Sequence, residues 1–97
     1  MPAYIIALIT VIDAEKYEAY KALAPAAIAA HGGRYLVRGG PVQTLEGEPE
    51  SRRIAVLEFP SVAAAEAFYR SAGYEAAMEK RRGAAEAQLI LVEGYAG

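Results

Sequence analysis

From Ala3 to Ile12 almost every position is apolar, and the run is rich in β-branched and aromatic side chains. Alternation along a strand puts Tyr4, Ile6, Leu8 and Thr10 on one face and Ile5, Ala7, Ile9 and Val11 on the other. A half-solvated strand alternates apolar with polar, so two apolar faces predict a central strand covered on both sides. Asp13 follows as an N-cap, with Glu15 in the first turn, where a negative charge suits the helix dipole. Tyr17, Tyr20, Leu23, Ala24, Ala27 and Ile28 then recur at helical spacing as one buried stripe, while Glu15, Lys16, Glu18 and Lys21 face water. Pro25 lies inside this pattern without a backbone donor and predicts a kink or restart. Gly32-Gly33 supplies the left-handed stop.

Arg34 to Arg38 reads as a short strand, interrupted by Gly39-Gly40-Pro41 and continued by Val42 to Leu45, a bulged or edge strand ahead of the loop 46–50. Arg52 to Phe59 pairs back with it, with Ile54, Val56 and Glu58 on one side and Arg53, Ala55, Leu57 and Phe59 on the other. Ser61 caps a second helix whose buried face is Val62, Ala65, Phe68, Tyr69 and Ala72, stopped by Gly73. Tyr74 to Arg82 forms a short third helix, and Ala87 to Glu93 the last strand, with Leu89 and Leu91 opposite Gln88, Ile90 and Val92. The order strand, helix, strand, strand, helix, strand is that of the ferredoxin-like β-α-β-β-α-β unit. It is an α+β fold with a four-stranded antiparallel sheet, both helices on one face and the first and third strands side by side at the centre. The other sheet face is then bare in a protomer, although the first strand is apolar there too. A second sheet from a partner subunit is the simplest cover.

Composition sharpens this reading. At 97 residues there is room for one domain, residues 1–97, and a chain this size buries only about 60–70% of its unfolded surface. With 55% hydrophobic residues against 23% charged, the chain is too apolar for disorder and carries more apolar surface than so thin a core absorbs, which again favours a homodimer. A net charge of −2 provides no positive field for a nucleic-acid backbone or an anionic membrane, so neither is an expected partner. The absence of cysteine excludes disulfides, thiolate nucleophiles and Cys-ligated metals, and is compatible with the cytoplasm, the expected location. The first residues lack the basic segment of a signal peptide, and the apolar run after them is too short to span a bilayer.

Several runs together form a family pattern: Asp13 with Tyr17 and Tyr20, then His31-Gly32-Gly33-Arg34-Tyr35-Leu36-Val37-Arg38-Gly39-Gly40, then Leu57-Glu58-Phe59-Pro60-Ser61, Phe68-Tyr69, Tyr74, Arg81-Arg82 and Glu93-Gly94. Over nearly its whole length the chain resembles the bacterial DUF1330 family, of unknown function, within the dimeric α/β-barrel superfamily. It departs from that pattern at Ala72-Gly73, where a proline–glutamate or similar pair is expected. The resemblance implies a ferredoxin-like fold whose two sheets pack face to face in a dimer, and it implies no reaction. The superfamily spans cofactor-free monooxygenases, small-molecule isomerases and haem enzymes, so fold analogy selects no chemistry.

His31 is the only histidine and the one side chain whose ordinary pKa suits proton transfer near neutrality, which makes it the acid–base candidate. The structural alternative is that it hydrogen-bonds carbonyls at the end of the first helix. One histidine with scattered glutamates makes no metal site, and no cofactor is expected. Arg34 and Arg38, four apart on a strand, share a face in a regular ladder and could clamp a carboxylate or phosphate; alternatively one of them pairs with Glu58 across the hairpin. Arg-Gly-Gly-Pro follows no strand-to-helix phosphate motif and reads as a bulge or tight turn. Tyr69 and Tyr74 flank the junction of the second and third helices and could point hydroxyls into a cavity beside Arg81 or Arg82.

Two functions fit. One is a small enzyme or binder holding a small anionic or aromatic molecule between sheet and helices, with His31 as proton shuttle and Arg34, Arg38, Glu58, Tyr69, Tyr74 and Arg82 as contacts. The other is a non-catalytic dimeric accessory or stress-related binding domain, in which the same polar residues secure the dimer.

Overall fold

In the computed structural model, which describes residues 1–96, strand β1 (Ala3–Val11) leads into helix α1 (Ala14–Ala30), followed by β2 (Arg34–Arg38), β3 (Arg53–Phe59), α2 (Val62–Tyr69), α3 (Ala72–Arg81) and β4 (Ala85–Glu93). The sheet order is β2-β3-β1-β4, every neighbouring pair antiparallel. This is the expected ferredoxin-like arrangement, with β1 and β3 at the centre and the last helical segment divided in two. No helix among the described residues is long and apolar enough to cross a membrane.

The two faces of the sheet differ in burial. Ala3, Ile5, Ala7 and Ile9 of β1 and Ala55, Leu57 and Phe59 of β3 are buried beneath the helices, meeting Ala24, Ala27 and Ile28 of α1, Ala65 and Phe68 of α2, and Tyr74 and Ala77 of α3. Tyr4, Ile6 and Leu8 point the other way, flanked by Ile54 and Val56 on one side and Ile90 and Val92 on the other. That face is apolar and uncovered, with Ile90 and Val92 43% and 45% exposed.

Caps fix the helix ends. Asp13 accepts the Lys16 amide at 3.1 Å and opens α1. The helix closes on Gly32 at φ +74°, with the Gly32 N–H on the Ala29 carbonyl and the Gly33 N–H on the Ile28 carbonyl, the paired bonds of a glycine stop. Gly33 is required for a second reason: a β-carbon there would lie 2.5 Å from the Phe59 ring.

Five expectations about the elements need correction. Helix α1 runs through Pro25 as one element rather than restarting. The carbonyl that a residue 25 N–H would engage is that of Lys21, and the Arg38 guanidinium reaches it at 3.4 Å. Leu23 is not on the buried stripe but 39% exposed. Residues 42–45 do not continue β2; the chain there is irregular. Gly73 does not stop α2, because the Ser71 hydroxyl donates to the Phe68 carbonyl at 2.7 Å and accepts the Tyr74 amide at 3.1 Å, closing α2 and opening α3 in one step. Consequently Ala72 belongs to α3 and is exposed, as is Tyr69.

Candidate functional site

Strand β2 carries a bulge: Tyr35 faces Leu57 and Val37 faces Val56, so one extra residue intervenes, and Arg38 comes to lie opposite Ala55. Arg34, opposite Glu58, stays on the uncovered face, whereas Arg38 turns toward the helices. The expected shared face of Arg34 and Arg38 is therefore lost, because a bulge reverses the parity of every residue after it. Arg34 Nε instead donates to Glu58 Oε1 at 2.8 Å, the cross-hairpin ion pair. Arg38 stacks on the Tyr35 ring at 4.5 Å.

His31 sits at the C-terminal end of α1, where its Nδ1 bonds the Ala27 carbonyl at 3.0 Å and its ring meets Phe68 edge-on. Since a carbonyl only accepts, Nδ1 carries the proton. Arg82 is an exposed residue at the end of α3, paired with Glu79 at 3.1 Å. None of His31, Arg34, Glu58 or Arg82 lines the cleft described next.

Between β4 and the two short helices lies a cleft of about 330 Å³. It is lined by apolar Ile5, Ala65, Ala87, Leu89 and Leu91, by Tyr69, and by three charged residues, Glu66, Arg70 and Arg81, of which Glu66 and Arg70 face each other at 3.8 Å. Its size is at the small end for ligand pockets, suited to a single aromatic ring and its substituents. Tyr69 is 45% exposed, with its ring 5.8 Å from that of the fully buried Tyr74. Of the residues singled out from the sequence, the structure brings these two tyrosines together here.

Behind the cleft wall runs a buried polar chain. Arg81 Nη1 donates to the Tyr74 hydroxyl at 3.0 Å, and the Tyr74 and Tyr20 hydroxyls lie 2.7 Å apart. The Arg81 guanidinium also lies over the Tyr20 ring at 5.2 Å. Burial, reinforced by the Tyr74 hydroxyl, pushes the Tyr20 phenol well above the ordinary range, so it is neutral under working conditions. Burial opposes the charge on Arg81, but the two tyrosine oxygens outweigh it and lift its pKa above the usual arginine value. Arg81 is thus a permanent, half-buried cation held by neutral phenols, and among the described residues no carboxylate pairs with it.

Tyr20 and Arg81 are the members that reading the sequence underweighted. The signal was present: positions 74 and 81 are two turns apart and share a helix face, while position 82 is rotated away. Tyr20 already lay on the buried stripe of α1.

A family described as a domain of unknown function, DUF1330, matches residues 2–95. No protein of curated function matches the sequence. Among solved structures, the chain is similar to a protein of unknown function from Rhodopseudomonas palustris, with 25% identity and a TM-score of 0.75 over 99% of this chain and 84% of that one. It is also similar to a dimeric ferredoxin-like protein of unknown function from Jannaschia sp. CCS1, at 14% identity and a TM-score of 0.71 over 97% of this chain and 100% of that one. A third similarity is to SnoaB, a cofactor-independent oxygenase from Streptomyces nogalater, at 15% identity and a TM-score of 0.66 over 99% of this chain and 95% of that one. The last two likenesses are of fold.

Proposed function

The chain belongs to the DUF1330 family of domains of unknown function, and from that premise we propose that it is a homodimeric small-molecule protein, one DUF1330 domain over its length. Its ligand is a small, mostly apolar molecule, aromatic or similar in bulk, bearing one anionic oxygen. The observation that carries this reading is the half-buried Arg81 in the lining of a largely apolar cleft whose one carboxylate, Glu66, is ion-paired with Arg70, so that Arg81 has no acidic partner among the described residues. A charge half removed from water is stabilised when a counter-charge reaches it, and Arg81 is the lining cation that no carboxylate meets. Ile5, Leu89 and Leu91 would hold the apolar body, Tyr69 would cover it, and Arg81 would take the oxygen.

The chemistry these residues support is stabilisation of an anion, whether a carboxylate already charged or a phenolate or enolate generated during reaction. Tyr74 and Tyr20 position the guanidinium and keep it charged. The structural relatives show that cofactor-independent oxygenation has arisen on this fold; the proposal for this chain rests on its own cleft. A cysteine-free chain suits the reducing cytoplasm, where we place this activity. The second copy would cover the apolar face of β1, β3 and β4, in keeping with the dimeric ferredoxin-like neighbour.

One observation favours the non-catalytic accessory reading: His31, Arg34 and Glu58 are all engaged in internal bonds. Thermal-shift measurements with a panel of phenols and aromatic carboxylates separate the two, because a ligand of the folded form raises apparent stability. The small-molecule reading expects at least one compound to stabilise the wild type, with the effect lost in Arg81→Met and in Ala87→Phe, which places a ring in the cleft lining and leaves Arg81 unsubstituted. A panel without effect, or stabilisation that survives Ala87→Phe, contradicts it.

A further inference from the structure

A second group of cations lies on the β2–β3 half of the same helix–sheet layer, and it shares no lining residue with the Arg81 cleft. Lys21, Arg38 and Arg53, with Glu18 and Ala22, surround an open cavity of about 440 Å³. Three positive side chains face one carboxylate there, and Glu18 is already held by Lys21 at 2.9 Å, so two positive charges remain without a counter-charge. This concentration occurs in a chain whose net charge is −2. Among the described residues neither Arg38 nor Arg53 has an acidic partner.

Both guanidinium groups lie over tyrosine rings. Arg38 lies over Tyr35 at 4.5 Å and Arg53 over Tyr17 at 5.9 Å, a stacking that leaves the N–H edges to find partners elsewhere. Arg38 spends one N–H on the Lys21 carbonyl at 3.4 Å. Arg53 Nε is buried and has no hydrogen-bond partner. The Arg-Gly-Gly-Pro turn also finds its reason here: Gly39, at φ +72°, passes so close over Arg53 that a β-carbon would collide with the guanidinium, whereas one at Gly40 would meet nothing. The turn thus closes down on one arginine. Behind the pair, the void shared with Tyr17 and Tyr35 is about 30 Å³. That is room for one or two waters at most, so a larger ligand belongs in the open cavity in front.

We propose that Arg38 and Arg53, assisted by Lys21, bind the phosphate group of a small molecule or free inorganic phosphate. Two uncompensated charges match a dianion, and forked N–H edges match the spacing of phosphate oxygens, which a lone carboxylate would satisfy only by half. Lys21 adds a point charge at the half-exposed rim. The site uses none of the residues of the Arg81 cleft and stands or falls independently of it.

Calorimetric titration of the full chain with inorganic phosphate, and separately with phenyl phosphate, tests the assignment against sodium chloride of equal ionic strength. The expected dissociation constant is of order 1 mM, weakened about tenfold or more in Arg53→Met and measurably in Lys21→Glu, with Arg82→Gln as an unaffected control. Lys21→Glu leaves both arginines in place and gives the reading should Arg53→Met not fold. Binding of both compounds assigns the site to the phosphate group itself, and binding of phenyl phosphate alone assigns it to a monoester; either supports the proposal. No binding beyond the chloride control, wild-type binding in both Arg53→Met and Lys21→Glu, or an equal loss in Arg82→Gln overturns it.

Discussion

The Tyr74 hydroxyl serves two partners at once, Tyr20 at 2.7 Å and Arg81 at 3.0 Å, inside a residue that is 1% exposed. Removing that oxygen strands a half-buried guanidinium, so Tyr74→Phe is expected to cost about 1–3 kcal/mol and Tyr20→Phe about 1 kcal/mol in urea unfolding. The double variant should cost less than their sum, since both act on one network. The raised pKa of Tyr20 fixes a pH dependence as well. Its folded-state value lies above the ordinary 10.0, so the neutral phenol's contribution is complete below that pH and lost as pH rises beyond it. The Tyr20 phenolate should therefore emerge only together with alkaline unfolding, and a Tyr20 phenolate in folded protein near pH 10 would contradict the burial argument. Glu50 works in the opposite sense: hydrogen bonds from the Arg52 side chain and backbone hold its carboxyl down to about 2, against an ordinary 4.5. The loop contact they form is complete above pH 4.5 and lost as pH falls toward 2, which a carboxyl NMR titration reads directly. At this scale the tyrosines were legible from helical spacing. Arg53 was placed correctly beside Ala55 and Leu57 by alternation, yet its orphan Nε was invisible, because a missing partner is a fact of three dimensions.

Helix α1 runs on through Pro25, and the Arg38 guanidinium reaches, at 3.4 Å, the carbonyl that the proline leaves unpaired. Pro25→Ala restores the N–H at that position and should stabilise the protein by up to about 3 kcal/mol, less whatever the Arg38 bond contributed. A lowered melting temperature in that variant would mean the proline is held for packing instead. The same element shows why the restart among the two expected outcomes is absent: propensity rules see the lost donor but not a guanidinium arriving from another strand. Strand β2 gives the converse case. Alternation placed Arg34 and Arg38 together, and the bulge between Tyr35 and Val37 parts them, since one inserted residue inverts the pattern that follows. The α2–α3 junction was misplaced for a related reason: Ser71 is too ordinary a residue to announce that its hydroxyl caps both helices. By contrast, the central position of β1 followed from its two apolar faces and the strand order from the succession of elements, signals long enough to survive local irregularities.

Taken whole, the sheet has one face packed under the helices, where the proposed ligand sites lie, and one apolar face left uncovered, where a second copy is proposed. Ile6, flanked by Val56 and Ile90, is at the middle of the uncovered apolar face. Ile6→Glu is expected to convert a dimer into a folded monomer in sedimentation equilibrium, with its far-ultraviolet circular dichroism retained, whereas a wild-type chain that is monomeric at micromolar concentration would refute the dimer. On the helix side, the most direct test of function is amide NMR of the full chain titrated with benzoate and with phenol. The account predicts saturable shifts gathered around Ile5, Tyr69, Arg81, Leu89 and Leu91. Shifts centred on Ile6, Val56 and Ile90, or spread without saturation over the surface, would contradict it.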